Sequence, residues 1–533
     1  MQMSIPKVVN QDGRKMLLVD DHPFILLSGE AHNSVSSSLP WMEPVWEKMR
    51  DLHLNSLLLA VSWQMIEPQE GVFRFDVVDG LIDQARAHGL KLGLLWFGSW
   101  KNASCSYAPD WVKSDPRRFP RAEQEKGSPF FYADFHGFRM PNTTLSAFCE
   151  ETTRCDARAF AALCRHLKEY DTYHTVILIQ VENETGLLGA ARDHSDAADE
   201  KFAEKVPEEL IRALKAHEGS LAPDLREALS RRSGETWGEV FGSAADEVFM
   251  AWYTAKHVEA VAAAGKAEYP LPMYVNCWLV QGLQPGQYPS GGPVDRMMEV
   301  WQAAAPSVDW FAPDIYVPDF CGTCDAYTKL NNPLFIPETA LHGGAAARLI
   351  YAVGHHHALC FAPFGIEDIG SLTDTSLGAA VGMDTSDAAL RSLMDRDTYA
   401  RINRLLGQMI PLLTSAYGTP RLQAVIHERP EENEMRFGSV AIGAAFAIPG
   451  QPAAPGACLA LETEEHDFYL LGYRCMPGIR SLDPGHPYAE FLTIEEGEFM
   501  DGRWTPSGIL NGDEEHLRID QPTLLKFRVH LLG

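Results

Sequence analysis

Residues 176–184 read VILIQVENE: an apolar run broken only by Gln180 passes directly into Glu182-Asn183-Glu184. A near-continuous run of this kind marks a parallel strand buried on both faces, and polar residues directly after it belong at the strand's C-terminal end. Similar runs lie upstream at Phe24 to Leu27, Ser56 to Val61 and Leu90 to Phe97. Downstream they recur at Met273 to Trp278, Trp310 to Tyr316, Leu334 to Ile336 and Ala358 to Phe361. Helical patterns separate them. Val78, Leu81, Ile82 and Ala85 fall at i, i+3, i+4 and i+7, with Gly89 as a left-handed stop, and Phe160, Leu163, Cys164 and Leu167 repeat the spacing. Eight strand-helix rounds predict an α/β fold, a (β/α)8 TIM barrel.

Two stretches depart from that alternation. A charge-rich segment around 186–245, including 208–217 and 225–232, reads as a helical insertion beside the barrel. After Thr419-Pro420 the chain turns to short β segments such as 458–462, 468–473 and 523–531, split by Pro/Gly loops. The expected division is a catalytic barrel over 1–419 and a C-terminal antiparallel β-sandwich over 420–533.

Composition narrows the function. The 533 residues carry 45 Lys and Arg against 72 Asp and Glu, a formal charge of −27. That balance argues against nucleic acid and against a polybasic membrane anchor, both of which need clustered cations. No apolar run approaches the ~18–20 residues of a membrane span. The opening Met1 to Pro6 lacks a basic start and an apolar signal core, so the expected location is the cytoplasm, with reduced thiols. Cys321 and Cys324 form a CxxC without a second ligand pair at zinc spacing, and His355-His356-His357 reads as a loop or helix end. No metal and no cofactor is expected. The acceptor-like triplets at Asn102, Asn142 and Asn183 are read as chance matches.

In such a barrel the chemistry sits at the C-terminal strand ends. The fourth run ends in Glu182-Asn183-Glu184 and the seventh in Pro337-Glu338-Thr339. Two carboxylates there are expected to face each other about 5–5.5 Å apart, the separation for double displacement with retention at a sugar carbon. One carboxyl gives its proton to the departing glycosidic oxygen, and the other attacks the anomeric carbon. Glu184 fits the acid/base and Glu338 the nucleophile. Asn183 is placed to hydrogen-bond a sugar hydroxyl, while Glu182 is balanced between supporting structure and sugar contact.

These residues resemble the pattern of clan A retaining glycoside hydrolases. FILLSGEAH (24–32), WQMIEPQEGVFRF (63–75) and above all IQVENETG (179–186) resemble glycoside hydrolase family 35, the β-galactosidases, over about residues 20–370. The resemblance implies that Glu184 is the proton donor, that Glu338 is the nucleophile, and that Tyr316 orients it. Two departures bear on the sugar. Ala60 stands where many members have Tyr, and Phe97-Gly98-Ser99-Trp100-Lys101-Asn102 replaces the usual cysteine-alanine-glutamate-tryptophan stretch. The Trp100-Lys101-Asn102 loop resembles a bacterial branch with a β-rich C-terminal domain.

Sugar contacts are expected from Trp100 and Trp278, whose indole faces can stack on pyranose rings, and from Lys101 and Asn102 on an exposed loop. Glu30 and His32, after the first strand, are balanced between pocket and structure, as are Trp63 and Glu367-Asp368. The reading is a retaining exo-β-galactosidase acting on oligosaccharides, with a homo-oligomer left open. A β-glucosidase on the same machinery and a non-catalytic carbohydrate-binding barrel stand as alternatives.

Overall fold

The computed structural model describes residues 4–11, 13–128, 131–135, 138–371, 393–447 and 455–533. Eight strands form one sheet: β1 (Leu26–Leu27), β2 (Ser56–Ser62), β3 (Lys91–Phe97), β4 (Val176–Val181), β5 (Met273–Trp278), β6 (Trp310–Ile315), β7 (Phe335–Thr339) and β8 (Cys360–Pro363). Their hydrogen-bonded order is β1-β8-β7-β6-β5-β4-β3-β2, a parallel, nearly closed barrel. The first run yields only a two-residue strand. Its ladder nevertheless continues, because Ser28 N donates to Phe361 O at 3.2 Å and Glu30 N to Pro363 O at 2.9 Å.

The helices form for the reasons the periodicity gives. In α1 (Asp76–Ala87) the residues Val78, Leu81, Ile82 and Ala85 are all buried. Asp76 and Asp79 occupy its first turn and Arg86 its last, matching the helix dipole. Gly89 then takes φ 71°, in the left-handed region, which ends the helix without a Cβ penalty. In α2 (Glu150–Tyr170) the buried stripe includes Asp156, Phe160, Leu163, Cys164 and Leu167. Between β4 and α3 (Ala245–Glu268) lie four α-helices, Asp196–Ala203, Glu208–Ala216, Pro223–Ser230 and Trp237–Phe241.

Two compact units divide the chain. One comprises Met1–Val8, Ala31–Glu43 and Leu58–Asp314; the other comprises Val9–Glu30, Pro44–Leu57 and Ile315–Gly533. The second unit ends in an antiparallel β domain, with a six-stranded sheet running from Leu422–Ile426 at one edge to Arg503–Leu510 at the other. A three-stranded sheet (Glu434–Phe437, Val440–Ala445, Met476–Ser481) shares its core, where Phe437, Ile442, Phe468, Leu470 and Phe527 meet.

Within that second unit, Arg348 on α4 (Ala345–His355) forms a bidentate pair with Glu428, at 2.8 and 3.0 Å. The guanidinium is almost fully buried and lies 4.7 Å from the Phe320 ring centroid. Replacing Arg348 strands the part-buried Glu428 carboxylate and empties a buried site, which costs more than the pair contributes. Arg348→Met is therefore expected to lower the stability of the protein by about 3 kcal/mol, measured by urea unfolding of the purified protein.

Candidate active site

The first unit builds one strand end. β4 leaves its ladder at Val181 and turns at once: Glu182 has φ 63° and Glu184 φ 46°, two left-handed non-glycine residues flanking Asn183. Such conformations cost about 1–3 kcal/mol each and persist only where the surroundings impose them. Here three backbone contacts do so. Asn183 N donates to Trp100 O at 3.3 Å, and Ala103 N donates to Glu184 O at 3.0 Å. Glu184 N donates to Asn276 Oδ1 at 2.9 Å.

Asn276 lies within β5, and its Nδ2 donates to Asp314 Oδ2 at 2.7 Å near the end of β6. A carboxylate oxygen of Asp314 and one of Glu184 lie within 4.8 Å of each other. Asn183 is fully buried, yet neither its Oδ1 nor its Nδ2 has a hydrogen-bond partner among the described residues. A primary amide offers two donors and a carbonyl acceptor, and leaving them unmet in a dry site is costly.

The second unit builds another. Along β7 the pairing with β8 runs Ile336 to Phe361 and then Thr339 to Pro363, with a register shift between them. Pro337 has no N–H to give to a ladder, and the irregularity falls at Pro337-Glu338. A bulge re-aims the side chain it carries. The Tyr316 hydroxyl donates to Glu338 Oε2 at 3.0 Å, and Thr339 Oγ1 donates to Ile315 O at 2.9 Å. Glu30 is buried in the same unit.

The other sequence candidates take varied positions. Trp100 is buried with its ring edge-on to His257, the centroids 4.7 Å apart. Lys101 is buried, with Nζ 4.8 Å from the Phe97 ring centroid, whereas Asn102 is exposed at φ 53°. Trp278 is half-buried, and its Nε1 donates to Gln281 Oε1 at 3.0 Å. Trp63 is buried and donates to Glu67 Oε2 at 2.9 Å. Asp325, His355 and His356 bring ligand-type atoms within 4.8 Å, but Arg429 already donates to the Asp325 carboxylate.

Sequence reading misses Asn276, Asp314, Asp156 and His257. Two of them carry a signal. Asn276 is the one amide inside the run MYVNCW, and Asp156 sits four residues before Phe160 on the apolar stripe of α2. Asp156 accepts from Trp96 Nε1 at 2.9 Å, Ser99 N at 2.9 Å and Ser99 Oγ at 2.5 Å.

Comparison with known proteins bears on the barrel. Residues 40–241 match the model of glycoside hydrolase family 42, described as β-galactosidase. The model that matches is thus that of family 42 and not of family 35, whose resemblance the motifs suggested; the match ends before Glu338. Residues 399–520 match a domain of unknown function, DUF5597. No curated protein matches the chain. Among solved structures, the β-galactosidase from Bacillus circulans sp. alkalophilus is 12% identical with a TM-score of 0.45. That from Rahnella sp. R3 is 15% identical with a TM-score of 0.45. Each alignment covers 73% of this chain and 57% of the other, so the chain spans little more than half the length of these enzymes. A β-mannanase from the blue mussel Mytilus edulis aligns at 13% identity and a TM-score of 0.37, over 70% of this chain and 98% of its own.

Proposed function

We propose that this protein is a retaining exo-β-galactosidase that releases terminal β-galactosyl residues from oligosaccharides. The observation that carries the reading is the buried, unpartnered amide of Asn183 beside Glu184. Those donors and acceptors, beside a carboxyl group, suit a ligand rich in hydroxyls. The family 42 match over 40–241 supports a glycoside hydrolase.

In the proposed cycle Glu338 attacks the anomeric carbon as Glu184 protonates the leaving oxygen, giving a covalent glycosyl-enzyme. Water then attacks that carbon, Glu184 takes the water's proton, and Glu338 departs as carboxylate. The Tyr316 hydroxyl orients the attacking carboxylate. Trp100, Lys101, Asn102, Trp278 and Glu30 are proposed sugar contacts. The catalytic part is assigned to 1–419, with 420–533 as an accessory β domain, and a cytoplasmic location suits imported oligosaccharides. Among the described residues no helix is long and apolar enough to cross a membrane.

The deciding experiment offers aryl β-galactoside, β-glucoside and β-glucuronide to the purified protein. Turnover fastest on the galactoside is expected. Binding of galactose with no turnover of any of the three would leave a carbohydrate-binding barrel instead. Asn183→Ala is expected to lower kcat/KM by about 10- to 100-fold, the scale of one or two hydrogen bonds that tighten in the transition state. The hydroxyl proposed for Asn183 is the one beside the reacting carbon, at C2, so a 2-deoxy substrate should lose much less on the same substitution.

A further inference from the structure

We propose that Glu182 is a positioning residue that fixes the left-handed turn bearing Asn183 and Glu184, through hydrogen bonds to the Trp100 backbone and to Asp156. The inference deepens the hydrolase reading and rests on it for the kinetic consequence alone.

Glu182 is fully buried, and its Oε2 accepts from Trp100 N at 2.8 Å. Trp100 O in turn accepts from Asn183 N. One peptide segment is therefore bonded both to the Glu182 side chain and to the next residue's backbone. The other oxygen, Oε1, has no donor among the described residues. Asp156 is its neighbour: one ligand-type atom each from Asp156, Glu182 and His257 lie within 4.8 Å of one another. A Cβ at Gly98 would come within 2.6 Å of both Asp156 Oδ1 and Glu182 Oε1, so only glycine admits this approach.

Two carboxylates can bond to each other only through a proton. Asp156 already accepts from Trp96 and twice from Ser99, and His257 Nε2 lies 3.5 Å from its Oδ2. Those donors favour charge on Asp156, so the proton sits on Glu182. Burial and then the Asp156 charge push the Glu182 carboxyl well above its usual range. Burial opposes the Asp156 charge, but hydrogen bonds led by His257 outweigh it and hold Asp156 below its usual range. His257 is itself fixed by Thr153 Oγ1 at 2.8 Å and by the edge of Trp100. The result is a closed set of contacts from α2 and α3 to the strand end, over-determining a turn that a free chain would not hold.

The test compares wild type with Glu182→Gln, Glu182→Ala and the volume-keeping Glu182→Met. Glutamine reproduces a protonated Glu182: its oxygen accepts from Trp100 N and its NH2 donates to Asp156. Its kcat is expected within about threefold of wild type. Alanine and methionine are expected to lower kcat about 100-fold, the cost of a misplaced catalytic group, with KM changed little. Crystal structures should show the Asn183-Glu184 turn displaced in those two variants and unchanged in Glu182→Gln. Glu182→Gln should also gain stability over wild type as pH rises. The folded state must hold a proton that the unfolded Glu182 releases above about pH 4.3, so the wild-type contribution falls with rising pH until the folded pKa is passed. Asp156 and His257 are the titratable groups that meet Glu182 here. An undisplaced turn in Glu182→Met with wild-type kcat would overturn the proposal, as would a loss in Glu182→Gln equal to that in Glu182→Met. If the wild type turns over no aryl glycoside, the hydrolase reading fails, and the position of the turn in the variant structures decides this one alone.

Discussion

Glu338→Gly is expected to lower turnover of an aryl β-galactoside by roughly 10⁴- to 10⁶-fold, the scale of deleting a nucleophile, and azide should restore it. The substitution removes the carboxylate but leaves the Tyr316 hydroxyl that bonds it. Azide fits the vacated volume and attacks the anomeric carbon directly. A C–N bond forms, the aryloxide leaves, and a single inversion gives the α-galactosyl azide. The measurement is product stereochemistry by proton NMR. A β-azide, or activity unchanged by the substitution, would remove Glu338 from the role of nucleophile.

Glu184→Gln is expected to act differently according to the leaving group. For a poor leaving group, loss of the proton donor should reduce the rate by about 10²- to 10⁴-fold. For a dinitrophenyl galactoside, which needs no protonation, the first step should survive. The second step, which needs a base to activate water, then becomes limiting, and the glycosyl-enzyme should accumulate as a burst of released phenol followed by a slow steady state. Azide should here give the β-galactosyl azide, since it replaces water after the first inversion. Equal losses on both substrates, without a burst, would mean that Glu184 serves structure and not proton transfer. The Asn276 and Ala103 contacts reach the Glu184 backbone and not its carboxyl group, so the glutamine variant should keep the turn in place.

Much of the barrel is legible in the amino-acid pattern. The runs at 56–61, 90–97, 176–181, 273–278 and 310–316 each form a barrel strand to within one residue at either end. The α1 stripe of Val78, Leu81, Ile82 and Ala85 is its buried face. These features depend on local periodicity: a strand buried on both faces must be apolar throughout, and a half-buried helix must repeat every three or four residues. The first run overstates its strand, because Phe24 and Ile25 are apolar for packing while the regular ladder begins at Leu26. The motifs point to family 35 where the matched model is family 42. Strand-end carboxylates carry the proposed chemistry and say little about family.

Hydrophobic pattern is enough to tell which segments must be strands and helices, and which acidic residues end the fourth and seventh strands, because burial imposes its period on neighbouring residues. Only the tertiary structure decides that Asp156 and His257 brace Glu182, that Asn276 and Asp314 attend Glu184, and that Pro337-Glu338 falls at a register shift. Most of those partners stand tens to more than a hundred positions apart, and each reads locally as an ordinary polar residue in an apolar stretch. What gives them a role is desolvation: once buried, each polar group must meet another, and folding chooses the partner.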